Sequence, residues 1–337
     1  MTKQKTFEKQ PALSATSFSF GEPVPVLDSA DILSYFETVL MFQKYYAPPI
    51  DLNGLARAVK SSAHHQSALT VKKNILLSTC KTTALFPRAE LERFVQDYLV
   101  FGNAYLEVVR NKLGKPLTLQ APLAKYMRKG VARGVYWQVT NGIEEHQFAQ
   151  DTIFHLLNPD VNQEIYGLPD YLAALQSAFL NESATLFRRK YYLNGAHAGS
   201  IIYMTDPTQS AADIEAIKTQ LRDTKGKGNF KNLFVHIPDG KKDGLQVIPL
   251  SDIVAKDEFA NIKNASRDDV LAAHRVPPQI MGILPTNNGG FGDVEKAGRV
   301  FFINEIKPLQ RKLQEINQWL GVDVVSFEPY ELLDVNA

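Results

Sequence analysis

Residues 168–199 read LPDYLAALQSAFLNESATLFRRKYYLNGAHAG. Within this stretch Leu172, Leu175, Phe179, Leu186 and Phe187 recur at helical spacing. Gly167-Leu168-Pro169-Asp170 has the form of a helix start, with proline in the first turn and an acid near the positive end of the dipole. Arg188, Arg189 and Lys190 suit a last turn, and Asn194-Gly195 suits the cap that ends it. The spacing predicts a helix over 169–193, roughly 37 Å long at ~1.5 Å per residue.

Working outward, a second helix of similar length is expected from Ser251-Asp252 to just before Pro277-Pro278, with Ile253, Phe259, Ile262, Val270 and Leu271 apolar. Ser266-Arg267-Asp268-Asp269 repeats a capping pattern inside it and predicts a kink or break there. The two helices bracket residues 196–250, which read β-α-β-β. Strands are expected at Ile201–Met204, Leu233–Ile237 and Leu245–Pro249, and a helix at Ile214–Arg222. Between them runs a basic glycine-rich loop holding Lys225, Lys227 and Lys231. Two long helices around a compact insertion suggest a stalk with a tip.

Before the stalk, residues 1–25 read as an extended arm and 26–167 as a mixed region. A helix is expected over Asp51–Thr79, running through His64-His65, and another opens at Pro87-Arg88 with Leu91, Val95, Tyr98 and Leu99 on one face. Short β-like runs follow at Ala104–Val109, Val135–Val139 and Ile153–Leu157, with turns at Gly114-Lys115-Pro116 and Asn141-Gly142. No βαβ rhythm is present, so the class is α+β. After Pro277-Pro278 comes an Asn/Gly loop, Thr286-Asn287-Asn288-Gly289-Gly290-Phe291. Asp293 then caps a long helix to Leu320, bent at Pro308 and closed by Gly321; the remainder to Ala337 reads as a short tail.

Composition narrows the function. The chain has 337 residues, 37 Lys+Arg against 36 Asp+Glu, and 45% hydrophobic residues. That balance excludes wholesale disorder and a protein that grips nucleic acid through net positive charge. Cys80 is the sole cysteine, so no intrachain disulfide is expected, and a reducing compartment is the natural one. No apolar run approaches the ~18 residues of a membrane span, and the N-terminus lacks the apolar core of a signal peptide, so a soluble product is expected.

Enzyme signatures are weak. No phosphate-binding G-x-x-x-x-G-K-[ST] loop occurs, and Gly289-Gly290-Phe291-Gly292 follows a proline-rich loop instead of the strand a dinucleotide site needs. His64 and His65 are adjacent and cannot share a helix face as metal ligands do; they are expected to be structural or exposed. His197 and Ser200 lack a nucleophile elbow and an orienting acid. The lysines at 225, 227 and 231 read either as a solvated connection or as a contact to phosphates or an acidic partner. Residues 286–292 read either as a mobile connector or as a movable loop touching a passing ligand with uncharged groups.

The run 168–199, with Asn229-Phe230-Lys231-Asn232-Leu233-Phe234 and Ala273-His274-Arg275-Val276-Pro277-Pro278, resembles the PBSX-type portal proteins of temperate contractile-tailed phages. Phe20-Gly21-Glu22-Pro23-Val24-Pro25-Val26 and Leu99-Val100-Phe101-Gly102-Asn103-Ala104 belong to the same pattern, and the resemblance extends over nearly the whole chain. It implies a portal fold: a wing at 26–167, stem helices within 168–195 and 251–276, a clip at 196–250, a tunnel loop at 277–292, and a helix leading to the crown from 293. It also implies a ring, typically of twelve copies, at one capsid vertex of the virion, assembled in the host cytoplasm. DNA would pass through it non-specifically, and terminase, scaffold or capsid protein, and neck or head-completion proteins would dock on it. Thr286 to Phe291 would then face the DNA channel, and Lys225, Lys227 and Lys231 would serve clip contacts. No cofactor or catalytic residue is implied. The rival readings are a scaffold component of another viral assembly and, further off, a nucleic-acid enzyme.

Overall fold

The computed structural model describes residues 40–140, 144–193, 200–204, 233–236, 245–249, 253–283 and 293–330. After a small hairpin of β1 (Leu40–Met41) and β2 (Tyr45–Tyr46), the body is built on three helices and a sheet: α1 (Leu52–Ala58), α2 (Ala63–Ser78), α3 (Arg88–Phe101) and β4 (Asn103–Arg110). The single helix expected over Asp51–Thr79 is two. Ser62 is extended, Ser61 turns its hydroxyl onto the Ala58 carbonyl, and the chain changes direction at 59–62.

Strand β4 is the centre of the sheet β5-β4-β9, with β5 (Pro116–Gln120) and β9 (Ile153–Leu157) both antiparallel to it. Side chains alternate across a strand. Ala104, Leu106 and Val108 therefore enter one hydrophobic cluster with Leu91, Phe94 and Val95, while Tyr105 enters a second with Leu55, Phe101, Met127 and Leu172. Burial on both faces explains why this strand reads as a nearly continuous apolar run. The turn from α3 into β4 requires glycine twice over. Gly102 has φ of 66°, and a Cβ there would lie 2.4 Å from the Leu168 carbonyl carbon.

A second sheet, β6 (Met127–Lys129), β7 (Tyr136–Thr140) and β8 (Glu144–Gln147), is also antiparallel. Its outer strands escaped the sequence reading because they are short and β8 (EEHQ) is exposed along its length, and β5 (PLTLQ) because it opens on proline and buries only Leu119. Asn141-Gly142 lies outside the described residues.

The first long helix, α4, spans Leu175–Leu193, 19 residues or about 28 Å. Its start is six residues later than Pro169 because 168–171 is held elsewhere. Asn158 donates to the Leu168 carbonyl at 2.8 Å and to Asp170 Oδ1 at 2.7 Å, and Tyr171 is tied to the Val100 carbonyl; a 3-10 turn at Leu172–Ala174 then leads into the helix. Strands β10 (Ser200–Met204), β11 (Leu233–His236) and β12 (Leu245–Pro249) form a three-stranded sheet with β10 in the middle, parallel to β11 and antiparallel to β12. These match the three expected strands; Ile214–Arg222 lies outside the described residues. Helix α5 (Ile253–His274) is unbroken, contrary to the kink expected at 266–269. The Ser266 hydroxyl bonds back to the Ile262 carbonyl at 2.7 Å, so it is satisfied inside the helix and does not cap a new one.

Asp293 caps α6 (Val294–Phe301) by accepting from the Lys296 amide. A wide π-type turn, Phe302–Ile306, separates it from α7 (Lys307–Leu320), which Gly321 closes at φ of 73°. The irregularity expected at Pro308 thus falls in the preceding turn. Proline has no N–H and its ring crowds the carbonyl four residues back, so the helix widens there and Pro308 sits in the first turn of α7. The expected tail is structural instead. Val325–Phe327 forms β13, pairing antiparallel with β3 (Cys80–Thr82), and Val324 and Val325 are fully buried. Asn317 fastens this return with bonds to the Val324 and Val325 amides and the Val325 carbonyl.

Candidate functional site at the base of the long helices

Helices α4 and α5 lie side by side. Ser177 bonds Asp269 (2.9 Å), and Asn181 bonds both Ser266 Oγ (2.9 Å) and the Lys263 carbonyl (3.3 Å). As residue numbers rise on one helix they fall on the other, so the pair is antiparallel. Ala174, Ala178 and Val270 form the apolar seam, with Ala178 and Val270 fully buried. Small side chains let the backbones approach, and the buried Asn181–Ser266 pair fixes which turn meets which.

At their base α5 ends in a Schellman motif. The Val276 amide bonds the Leu271 carbonyl at 3.0 Å, the Arg275 amide bonds the Ala272 carbonyl at 2.9 Å, and Val276 and Leu271 both enter the core. The left-handed position after such a helix usually holds glycine, yet here it is Arg275, with φ of 53°. Its guanidinium reaches Asp170 at 3.4 Å and Glu305 at 3.3 Å, and Lys72 from α2 reaches the same Glu305 oxygen at 3.1 Å. Four separate parts of the fold meet in these four side chains. Glu305, then Asp170, hold the Arg275 charge, while burial lowers the Lys72 pKa despite its contact with Glu305.

Beside this network His65 Nδ1 and His274 Nε2 share a hydrogen bond of 2.8 Å, and Tyr171 packs against both rings. Burial drives His65 down to about 4 and His274 to about 3, so both are neutral at pH 7. Lys312 of α7 bonds the Tyr98 hydroxyl (2.6 Å) and Asn158 Oδ1 (3.0 Å). Apart from His65, which lies behind His274, these side chains wall a cleft of about 150 Å³. Its carboxylates are neutralised by cations, and among the described residues no group of three His, Cys, Asp or Glu could hold a metal. The site has the chemistry of a joint that fixes geometry.

Residues 286–291 and Lys225, Lys227 and Lys231 lie outside the described residues, as does His197. What is described is the frame around the Asn/Gly loop: Ile280, Met281 and Ile283 pack on the core before it, and the Asp293 cap follows it. His65 is buried and His64 half-buried, as expected of structural histidines. The joint itself was missed. Its signals were present in Arg275 between a helix and Val276-Pro277-Pro278, and in a lysine on the buried face of α2, but its partners are 30 to 233 positions apart in sequence.

By fold, this α+β body with an antiparallel helix pair is similar to solved chains of low sequence identity. Over 85% of its length it matches a chain of the "Neck of empty GTA particle computed with C6 symmetry", covering 86% of that chain with a TM-score of 0.64 at 19% identity. A model of the family described as "Phage portal protein" matches residues 87–336. The "Probable portal protein" of Escherichia phage P2 is 50% identical over 340 residues, 98% of each chain. That of Haemophilus phage HP1 (strain HP1c1) is 39% identical over 280 residues, 81% of each. The chain belongs to the phage portal protein family, whose members are structural components of the particle.

Proposed function

We propose that this chain is the portal, or head–tail connector, subunit of its phage. It forms a homo-oligomeric ring of twelve copies at one capsid vertex, through which DNA enters during packaging and leaves during ejection. The observation that carries this reading is the antiparallel pair α4/α5, registered by Asn181–Ser266 and locked to the body through Arg275. A channel wall under axial load needs helices that can neither slide nor pivot. In this reading residues 26–167 are the wing, α4 and α5 the stem, 196–250 the clip, 277–292 the tunnel loop, and the last helix leads to the crown. Thr286, Asn287, Asn288, Gly289, Gly290 and Phe291 line the narrowest part. Double-stranded DNA must slide there, and uncharged groups suit sliding because every neutralised phosphate strengthens binding. Lys225, Lys227 and Lys231 meet the packaging terminase or the neck proteins. With no phosphate-binding loop in the sequence, the motor is a separate protein.

Particle imaging of the purified full chain tests the ring: a ring with a central hole is expected, and a monomer would sink the reading. Deleting residues 286–291 should leave ring assembly intact while reducing packaged DNA, measured as DNA-filled heads.

A further inference from the structure

Two exposed tips at opposite ends of the sheet β5-β4-β9 are unaccounted for by the joint or the stem. The β4–β5 hairpin carries Arg110, Lys112 and Lys115 and no acid between Val108 and Thr118. Among the described residues none of the three is engaged by a carboxylate; Arg110 bonds only the Gly114 carbonyl of its own turn. Between them Leu113 is 84% exposed, with Leu117 at 58%. The tip is nonetheless rigid. Asn111 Oδ1 accepts from the Leu113 and Lys115 amides, and Gly114 turns the chain at φ of 76°.

At the other end, β9 leaves the sheet at Leu157, opposite Asn103, into the loop 158–166. This loop carries Asp160 and Glu164 and no cation, and at its tip Val161 is 97% exposed. It too is held by its own bonds, from the Asn162 amide to Asp160 Oδ1 and from the Ile165 amide to Gln163 Oε1. Strand β4, eight residues long, separates the two tips by about 23 Å, so they cannot meet within one chain.

We propose that the basic hairpin tip of one copy docks on the acidic 158–166 loop of the next, Leu113 against Val161, with Lys112 and Lys115 facing Asp160 and Glu164. The partner is a second copy of this chain because the two tips are complementary in charge, each presents an apolar residue, and they point from opposite ends of one rigid sheet. A head-to-tail contact between two different patches is the kind that closes a ring. Two exposed leucines favour a protein surface over phosphates, which offer them nothing. Rigid tips also lose little conformational freedom on docking. This inference rests on the ring reading above.

The test is a full-length chain carrying Leu113→Cys with Val161→Cys, oxidised and run without reductant, beside each single variant. Natural Cys80 is buried and serves as the internal control. A reductant-sensitive ladder of multimers in the double variant only is expected, since a disulfide needs Cα atoms within roughly 7 Å. Rings in the microscope without a ladder overturn this contact and leave the ring standing; monomers overturn both. In a second arm, Lys112→Glu with Lys115→Glu should lower the ring fraction several-fold, and adding Glu164→Lys should restore it. If the charge reversal instead spares rings and weakens salt-dependent DNA binding, the hairpin is a DNA contact and the proposal fails.

Discussion

Arg275 adopts a backbone conformation that glycine takes at little cost, while its side chain holds two carboxylates on other elements. The two roles can be separated by substitution. Arg275→Gly relieves the left-handed strain and loses the ion pairs; Arg275→Ala loses the ion pairs and keeps the strain, about 1 kcal/mol or more. The guanidinium is more than half exposed, so its pairs contribute no more than about 1 kcal/mol. Alanine should therefore unfold at a lower denaturant midpoint than glycine, and equal midpoints would show that the backbone is unstrained. Asp97 offers a second handle. Burial raises its carboxyl to about 7, against 3.8 ordinarily, although the Ala124 amide donates to it at 2.6 Å. Between those values the folded chain holds a proton that the unfolded chain has released, so stability falls as pH rises through the window. His65 and His274 work with the opposite sign: their depressed values cost stability as pH drops below about 6.5. Of these three groups only Asp97 still changes stability above that pH, and Asp97→Asn should flatten the decline in Tm as pH rises from about 6.5 through 7.

At the scale of elements, the seam between α4 and α5 leaves no room at Ala178. Ala178→Leu should destabilise by about 1–3 kcal/mol, read by denaturant unfolding, whereas Leu180→Ala on the exposed side of the same helix should change stability by less than about 0.5 kcal/mol. The long helices, the strands β10 to β12 and α3 were legible because their apolar periodicity and their Gly, Pro and Asp punctuation are local signals. What was not legible depended on partners distant in sequence. The late start of α4 is set by Asn158 and Val100, the continuity of α5 by where Ser266 turns its hydroxyl, and the joint by Lys72 and Glu305, 233 positions apart. Of the site residues read from sequence, those in the Asn/Gly loop and the basic loop were chosen for flexibility and charge, properties that locate a surface without identifying what it touches.

At the scale of the whole molecule, the C-terminal return closes the body. Removing residues 322–337 strips Val324 and Val325 from the core and leaves β3 unpaired. The two valines alone account for about 3–6 kcal/mol, a large part of the roughly 5–15 kcal/mol that holds a domain together. The truncated chain should be insoluble or unfold well below the full one in a thermal melt. The near-equality of 37 basic and 36 acidic residues also takes on meaning at this scale. The basic β4–β5 tip and the acidic 158–166 loop lie at opposite ends of one sheet, so a chain neutral in sum can still carry charge directionally.

The pairing of β3 with β13 also sets a clock on synthesis. Strand β13 is translated about 240 residues after β3, which at roughly 5–20 residues per second is a wait of about 12–50 s. Throughout that interval the nascent polypeptide lacks the strand that seals its core. A chain released before Val325–Phe327 is made cannot complete that core.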